Sequence, residues 1–112
     1  MKLFTKEILD AFSKQGYVGD KLPESIKVIC KLFNPSGAGT WFLYEYNPEE
    51  RIAYGYANLG DDNFAECGTV SINELEQFRG HFGLGIERDR HFPIGKHSLE
   101  HVVACHGRNL GC

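Results

Sequence analysis

The sequence lacks the features of an exported or membrane-spanning protein. No apolar run approaches the roughly 18 residues that a transmembrane helix requires. The first stretch, MKLFTKEILDAF, contains Lys6, Glu7 and Asp10 before any apolar segment develops, so it does not form a signal peptide. The four cysteines, at positions 30, 67, 105 and 112, include no CxxC pair. We therefore expect reduced thiols and a cytoplasmic location.

Clustered Lys and Arg residues are also missing, which argues against nucleic acid as a partner. The formal net charge is −3. Residues 45–76 contain a single base, Arg51, and eight acids: Glu45, Glu49, Glu50, Asp61, Asp62, Glu66, Glu74 and Glu76. This acidic segment could attract a basic protein partner, although a solvated polar surface is the simpler interpretation.

The local patterns predict one small α+β domain. A chain of 112 residues, of which 42% are hydrophobic, can bury a core without disulfides or metals. Thr5, Ser71 and Ser98 are suitable caps for three short helices, which we expect to point Phe78 and Val103 inward. The stretch SIKVICKLF alternates as a strand. We predict an antiparallel sheet of about four strands with three short helices.

The segment TWFLYEYNPEERIAYGYANL predicts an antiparallel hairpin, because two β-rich runs flank the loop 47–51. A register that pairs Tyr46 with Ile52 continues until Trp41 faces Ala57. It places one aromatic set on a single face, which we take as a candidate protein-interaction face: Phe42, Tyr44, Tyr46, Tyr54 and Tyr56. Alternatively, the set Tyr44, Tyr54 and Tyr56 could stack on single-stranded nucleic acid, since YGYANL partly resembles the strand motif of RNA-recognition domains.

The stretch GLGIERDRHF carries five charged or imidazole side chains in succession. In an extended chain Glu87, Asp89 and His91 point to one side. Two carboxylates and an imidazole could hold a divalent metal or perform acid–base catalysis. Alternating signs more often indicate surface ion pairing, and an arginine follows each of the two acids. An enzyme is therefore the alternative interpretation rather than the leading one.

The C-terminal tail places His97, His101 and Cys105 four residues apart, on one stripe of a short helix. This spacing could bind zinc with His106 or Cys112 as a further ligand. The second paired knuckle that makes a zinc motif specific is missing, so we expect no cofactor and keep zinc as the alternative. The motifs GxSxG and HExxH and the phosphate-binding loops are absent.

Four stretches resemble the domain of unknown function 2958 family, which comprises small bacterial and phage proteins: MKLFTKEIL, TWFLYEYNP, AYGYANLG and GTVSINELEQFRGHFGLGIERDRHF. The resemblance covers about residues 1–93. It leaves residues 94–112 as a tail without a counterpart, with a short helix that we expect to pack on the domain. The resemblance implies a compact α+β domain, encoded by bacteria, phages and mobile elements, without an established activity.

The resemblance also gives the Glu-Arg-Asp stretch a structural interpretation. We expect carboxylates to bind Arg79 and Arg88 and to lock the segment after the second helix against the sheet. Glu45 and Glu74 are the candidate partners. The predicted ion-pair motif comprises Glu45, Arg79, Glu87, Arg88 and Asp89.

The leading prediction is a non-catalytic protein-interaction module, an accessory protein of a bacterium, phage or mobile element. The first alternative is a metal-dependent or acid–base enzyme using Glu87, Asp89 and His91. The second is a binder of single-stranded nucleic acid.

Overall fold

A five-stranded antiparallel sheet organises the computed structural model, which describes residues 3–108. Its strands are β1 (Cys30–Phe33), β2 (Thr40–Asn47), β3 (Ile52–Asn58), β4 (Glu66–Ser71) and β5 (Glu87–Arg88), in the spatial order β4-β3-β2-β1-β5. The helices are α1 (Lys6–Gln15), α2 (Ile72–Gln77) and α3 (Leu99–Ala104). The α+β class and the three helices are confirmed, and the sheet has one strand more than predicted. None of the helices in the described part of the chain could cross a membrane.

Each of the three helices begins at the cap that the sequence predicts. The side-chain oxygens of Thr5, Ser71 and Ser98 accept hydrogen bonds from the backbone N–H three residues later, at 3.2, 3.2 and 3.1 Å. These bonds satisfy N–H groups that the first helical turn leaves without a partner. Phe78 and Val103 are partly exposed, so the prediction that they point inward is wrong. Phe78 lies just beyond α2, which ends at Gln77.

One face of the sheet, here called the α1 face, packs against α1, α2 and the start of the chain. Its strands contribute Leu32, Leu43 and Ala53, which are fully buried. Against them pack Leu3, Ile8, Phe12, Ile72, Leu75 and Ile86. Burial of apolar area is the main stabilising term in folding, so this cluster fixes both helices on the sheet.

The opposite face, here called the α3 face, is covered by α3 and the segment before it. Phe42 and Tyr56 project from the strands towards the α3 residues Leu99 and Val102. The tail also pairs with the chain before β1, because Val28 N–H donates to the carbonyl of His97 at 2.9 Å. The predicted strand over SIKVICKLF is therefore shorter than expected and begins at Cys30.

A β-bulge at Tyr44 changes the predicted register of the hairpin. From Trp41 to Leu43 the pairing agrees with prediction, with Phe42 opposite Tyr56. Beyond the bulge the register shifts by one residue, so that Tyr46 faces Ala53 and lies on the α1 face. The Gln15 amide, at the end of α1, donates to the Tyr44 carbonyl at 2.6 Å. The bulge thus moves Tyr46 from the face of Phe42, where the predicted register places it, to the α1 face.

Candidate protein-docking edge

The Glu-Arg-Asp stretch binds the chain to itself, with partners that differ from those predicted. Arg88 Nη1 donates to the carbonyl of Leu3 at 2.6 Å. The Asp89 carboxylate lies 3.4 Å from Lys31 Nζ and also accepts the N–H of His91 at 2.9 Å. The segment pairs with β1, and Arg88 contacts a backbone carbonyl where the sequence analysis expected a carboxylate.

Arg79 and Glu45 also lie apart from each other in this structure. Arg79 Nη1 donates to the carbonyls of Glu76 and Phe78, at 3.0 and 2.6 Å. Glu45 Oε1 accepts the N–H of Val18 at 3.1 Å and so fastens the connection after α1 to β2. Four residues of the predicted ion-pair motif, Glu45, Arg79, Arg88 and Asp89, therefore make separate contacts rather than one network.

The side chains Glu87, Asp89 and His91 do not form a metal-binding group. Among residues 3–108 no three His, Cys, Asp or Glu side chains are grouped so that they could hold a metal ion. Cys30 lies in the wall of the cavity beside this stretch. Burial raises the pKa of its thiol to about 12, which keeps it protonated and unreactive at neutral pH.

The histidines of the tail make separate contacts, and the His97 ring lies between two aromatic rings, with its centroid 5.6 Å from that of Phe92. The rings of His97 and His101 stack with centroids 5.6 Å apart. Burial, followed by the charge of His101, lowers the pKa of His97, which favours its neutral form. Cys105 Sγ donates to the carbonyl of His101 at 3.2 Å. His106 Nδ1 instead lies 3.0 Å from the Tyr56 hydroxyl, and Cys112 falls outside the described residues.

The candidate aromatic face is divided between the two cores. Phe42 and Tyr56 are only 1% and 3% exposed, and Tyr46 lies on the α1 face. Tyr44 is half-buried, and burial followed by the neighbouring Cys67 raises the pKa of its hydroxyl. Tyr54 alone keeps substantial exposure, 38%. The hairpin therefore presents no run of exposed rings on which successive nucleobases could stack.

The surface that the sequence analysis missed is the outer edge of β4, here called the docking edge. β4 pairs with β3 on one side only and runs for six residues, the first four of them exposed. The N–H of Ile72 donates to the carbonyl of Arg51 at 2.9 Å. Antiparallel pairs alternate between bonded and non-bonded, and the register has no shift along β4. The N–H and C=O groups of Cys67 and Thr69 therefore point away from β3, towards solvent.

An apolar groove of about 210 Å³ lies beside the docking edge, on the α1 face. Its lining includes the small residues Gly55, Ala57 and Gly68 together with the large side chains of Trp41 and Leu59. A Cβ atom added at Gly68 would meet nothing within 4 Å, so the space above the strand is open. The sequence shows small residues opposite the indole, but it does not show that β4 lies beside them.

Two large apolar side chains flank the start of the docking edge. Leu59 and Phe64, in the loop between β3 and β4, are 67% and 81% exposed. Isolated exposed apolar residues are common, but Leu59 lines the apolar groove and Phe64 lies two residues before β4 begins. The combination of an open strand edge with an adjoining apolar pocket is typical of surfaces that bind extended peptides.

Comparisons with known proteins identify the family. The family model for proteins of unknown function DUF2958 matches residues 3–107. No curated protein and no solved structure matches the chain. The match continues past position 93, so the expectation that the tail lacks a counterpart in the family is wrong for residues up to 107. Since the match spans nearly the whole chain, the protein belongs to the family of unknown function DUF2958.

Proposed function

We propose that this protein is a non-catalytic protein-interaction module that takes up an extended segment of a partner protein along β4. The observation that carries the proposal is the docking edge, where the backbone groups of Cys67 and Thr69 face solvent beside the open apolar groove. A partner segment would add a sixth strand to the sheet. Its backbone would satisfy these groups, and one of its side chains would enter the groove.

The dimensions of the apolar groove support a side chain as its occupant. Its volume of about 210 Å³ is below the range of roughly 300–1,000 Å³ that is usual for small-molecule sites. A leucine or isoleucine side chain of an added strand would bury its surface against Trp41 and Leu59. Alternate residues of a strand point to the same face, so the neighbours of that residue would point away from the groove.

We propose that the protein works in the bacterial cytoplasm and is encoded by a bacterium, a phage or a mobile element. The free thiols of Cys30, Cys67 and Cys105 support a reducing compartment. The partner segment should be flexible before it binds, because a strand added to β4 must adopt an extended conformation.

The test uses a substitution that fills the groove without disturbing the fold. Gly68→Leu places a side chain in open space at a position without a positive φ, so the free energy of unfolding should stay within about 0.5 kcal/mol of wild type. The probe is a peptide of about nine residues with a Thr-Val-Leu-Val-Thr centre and two lysines at each end. Binding should change the fluorescence of Trp41, the single tryptophan of the chain.

Hydrogen exchange separates strand addition from other binding. In wild type the peptide should slow exchange of the Cys67 and Thr69 amides, because they pass from solvent into hydrogen bonds. Gly68→Leu should abolish both signals, while Ser13→Leu, which adds the same side chain on the solvent side of α1, should leave them intact. Binding that leaves these two amides unprotected, or that survives Gly68→Leu, would contradict the proposal.

A further inference from the structure

We infer that the segment bound by the docking edge is basic, with Lys or Arg residues flanking an uncharged β-forming centre. This inference rests on the proposed function and adds the chemistry of the partner. Three observations support it: the acidic residues around β4, the ion pairs that already occupy the neighbouring arginines, and the charge repulsion that a second copy of the chain would meet.

Acidic residues surround the docking edge without basic residues between them. Residues 61–76 contain five acids and neither Lys nor Arg: Asp61, Asp62, Glu66, Glu74 and Glu76. Two further acids, Glu49 and Glu50, are exposed in the turn between β2 and β3. This turn adjoins the far end of β4, because Ile72 donates to the carbonyl of Arg51.

The two arginines that border this region, Arg51 and Arg108, already form ion pairs with acids of the region. Arg51 Nη1 lies 3.0 Å from the Glu76 carboxylate, and Arg108 Nη2 lies 2.6 Å from the Asp62 carboxylate. Each pair neutralises one acid and leaves the others in excess. Glu66 and Glu74 are exposed, and Glu66 also stands at the wall of the apolar groove.

The charges sit at the ends of β4 and leave its centre uncharged. Glu66 begins the strand, Glu74 follows it by three residues, and residues 67–70 are Cys, Gly, Thr and Val. A strand advances about 3.3 Å per residue, so Glu66 lies roughly 17 Å from Ser71, the cap of the helix that carries Glu74. A segment that matches this pattern has cationic ends and an apolar or β-branched centre.

A second copy of the chain fits the docking edge poorly for the same reason. Residues 45–76 carry one base and eight acids, a charge of 1 − 8 = −7. Pairing two β4 strands would bring two such regions together, and like charges facing each other across an interface are unfavourable. The acidic surroundings also repel a nucleic-acid backbone, which leaves a basic polypeptide segment as the occupant.

The experiment compares peptides that share one centre and differ in charge. The lysine-flanked peptide is measured beside a glutamate-flanked and a serine-flanked version, by Trp41 fluorescence and by protection of the Cys67 and Thr69 amides. Exposed charge pairs each change affinity by a few-fold, so several together should make the lysine version about tenfold tighter than the serine version at low salt. The difference should largely disappear at about 0.5 M salt, where the Debye length is about 4 Å.

Charge-neutralising variants test the acids named here. The pair Glu66→Gln with Glu74→Gln should reduce the advantage of the lysine peptide by about fourfold and leave the serine peptide unaffected. Glu24→Gln, at an exposed acid outside the 45–76 region, is the matched control and should change neither.

The outcomes separate the two proposals. If all three peptides protect the Cys67 and Thr69 amides equally, strand addition stands and the basic partner is wrong. If none of them protects these amides, or if the lysine peptide binds without protection, the proposed function fails. A stable dimer in sedimentation, with β4 amides protected before peptide is added, would make a second copy the occupant and overturn the inference.

Discussion

The two edges of the sheet are built in opposite ways. β5 pairs for only two residues, and the chain on either side of it is fastened down. Ile86 is buried in the α1-face core, Arg88 donates to the carbonyl of Leu3, and Asp89 lies against Lys31. β4 runs for six residues and leaves its outer backbone groups in solvent. One edge is closed by its own side chains, whereas the other is open.

The open edge also lacks the protection that exposed strands usually carry. Native proteins discourage unwanted strand pairing with lysines, prolines, bulges or very short edge strands. β5 is short and carries charge at both of its positions, Glu87 and Arg88. β4 contains no Lys or Pro and has a regular register, with one acid at its first position. This difference supports a binding role for β4 and a structural role for the Glu-Arg-Asp stretch.

The largest effect is expected from truncation beside the closed edge. Ile86→Ala removes a side chain that is 4% exposed and should lower the free energy of unfolding by about 3 kcal/mol, through lost burial and a cavity. Val70→Ala, on the partly exposed β4, should cost about 1 kcal/mol or less. Denaturant unfolding monitored by circular dichroism measures both. Equal costs would show that β4 is as deeply integrated as β5, and the contrast between the edges would fail.

A smaller effect is expected from the arginine that closes the β5 edge. Arg88→Ala leaves the carbonyl of the buried Leu3 without the guanidinium donor and should cost about 2 kcal/mol. Arg90→Ala, which removes the same charge from an exposed position, should stay within about 0.5 kcal/mol of wild type. If the two variants melt at the same temperature, the bond from Arg88 to the chain start contributes little to stability.

The smallest effect concerns the loop that leads into the open edge. Hydrogen bonds from Arg108 first, and then from Asn58, lower the pKa of Asp62 to about 2. The pKa of an aspartate in the unfolded chain is about 3.9, so the unfolded state binds more protons between these values. The contribution of Asp62 to stability is therefore complete above about pH 4 and is lost as the pH falls towards 2.

Unfolding measured from pH 5 to 2 checks this dependence. Wild type should lose more stability over this interval than Asp62→Asn, which cannot titrate. The variant Arg108→Ala keeps the carboxylate and removes its guanidinium donor, so its slope should approach that of Asp62→Asn. Parallel slopes for wild type and Asp62→Asn would mean that the Arg108 contact has no influence on folding.

Local signals were sufficient for the helix starts and for the first half of the hairpin. Thr5, Ser71 and Ser98 act through a bond three residues away, so a short stretch of sequence contains both partners. The alternation of Trp41 to Leu43 against Gly55 to Ala57 is equally local. These features were predictable because neither depends on how distant parts of the chain meet.

The remaining features depend on distant contacts. β4 is exposed along most of its length, so its residues show no alternation between apolar and polar side chains. The bulge at Tyr44 is stabilised by Gln15, which lies 29 positions away. Arg88 donates its hydrogen bond to a backbone carbonyl 85 positions away rather than to a nearby carboxylate. Sequence alone indicates that an arginine needs an acceptor but does not say which one.

The bulge at Tyr44 has a consequence for how this sequence can change in length. On its N-terminal side β2 sends Phe42 to the core under α3, and on its C-terminal side it sends Tyr46 to the core under α1. Deleting one residue between Phe42 and Tyr46 would reverse the face to which one of the two rings points, so that this ring would leave its core. Relatives that fold alike should therefore keep the number of residues between these two aromatics constant, whereas the turn at 34–39 should tolerate insertions.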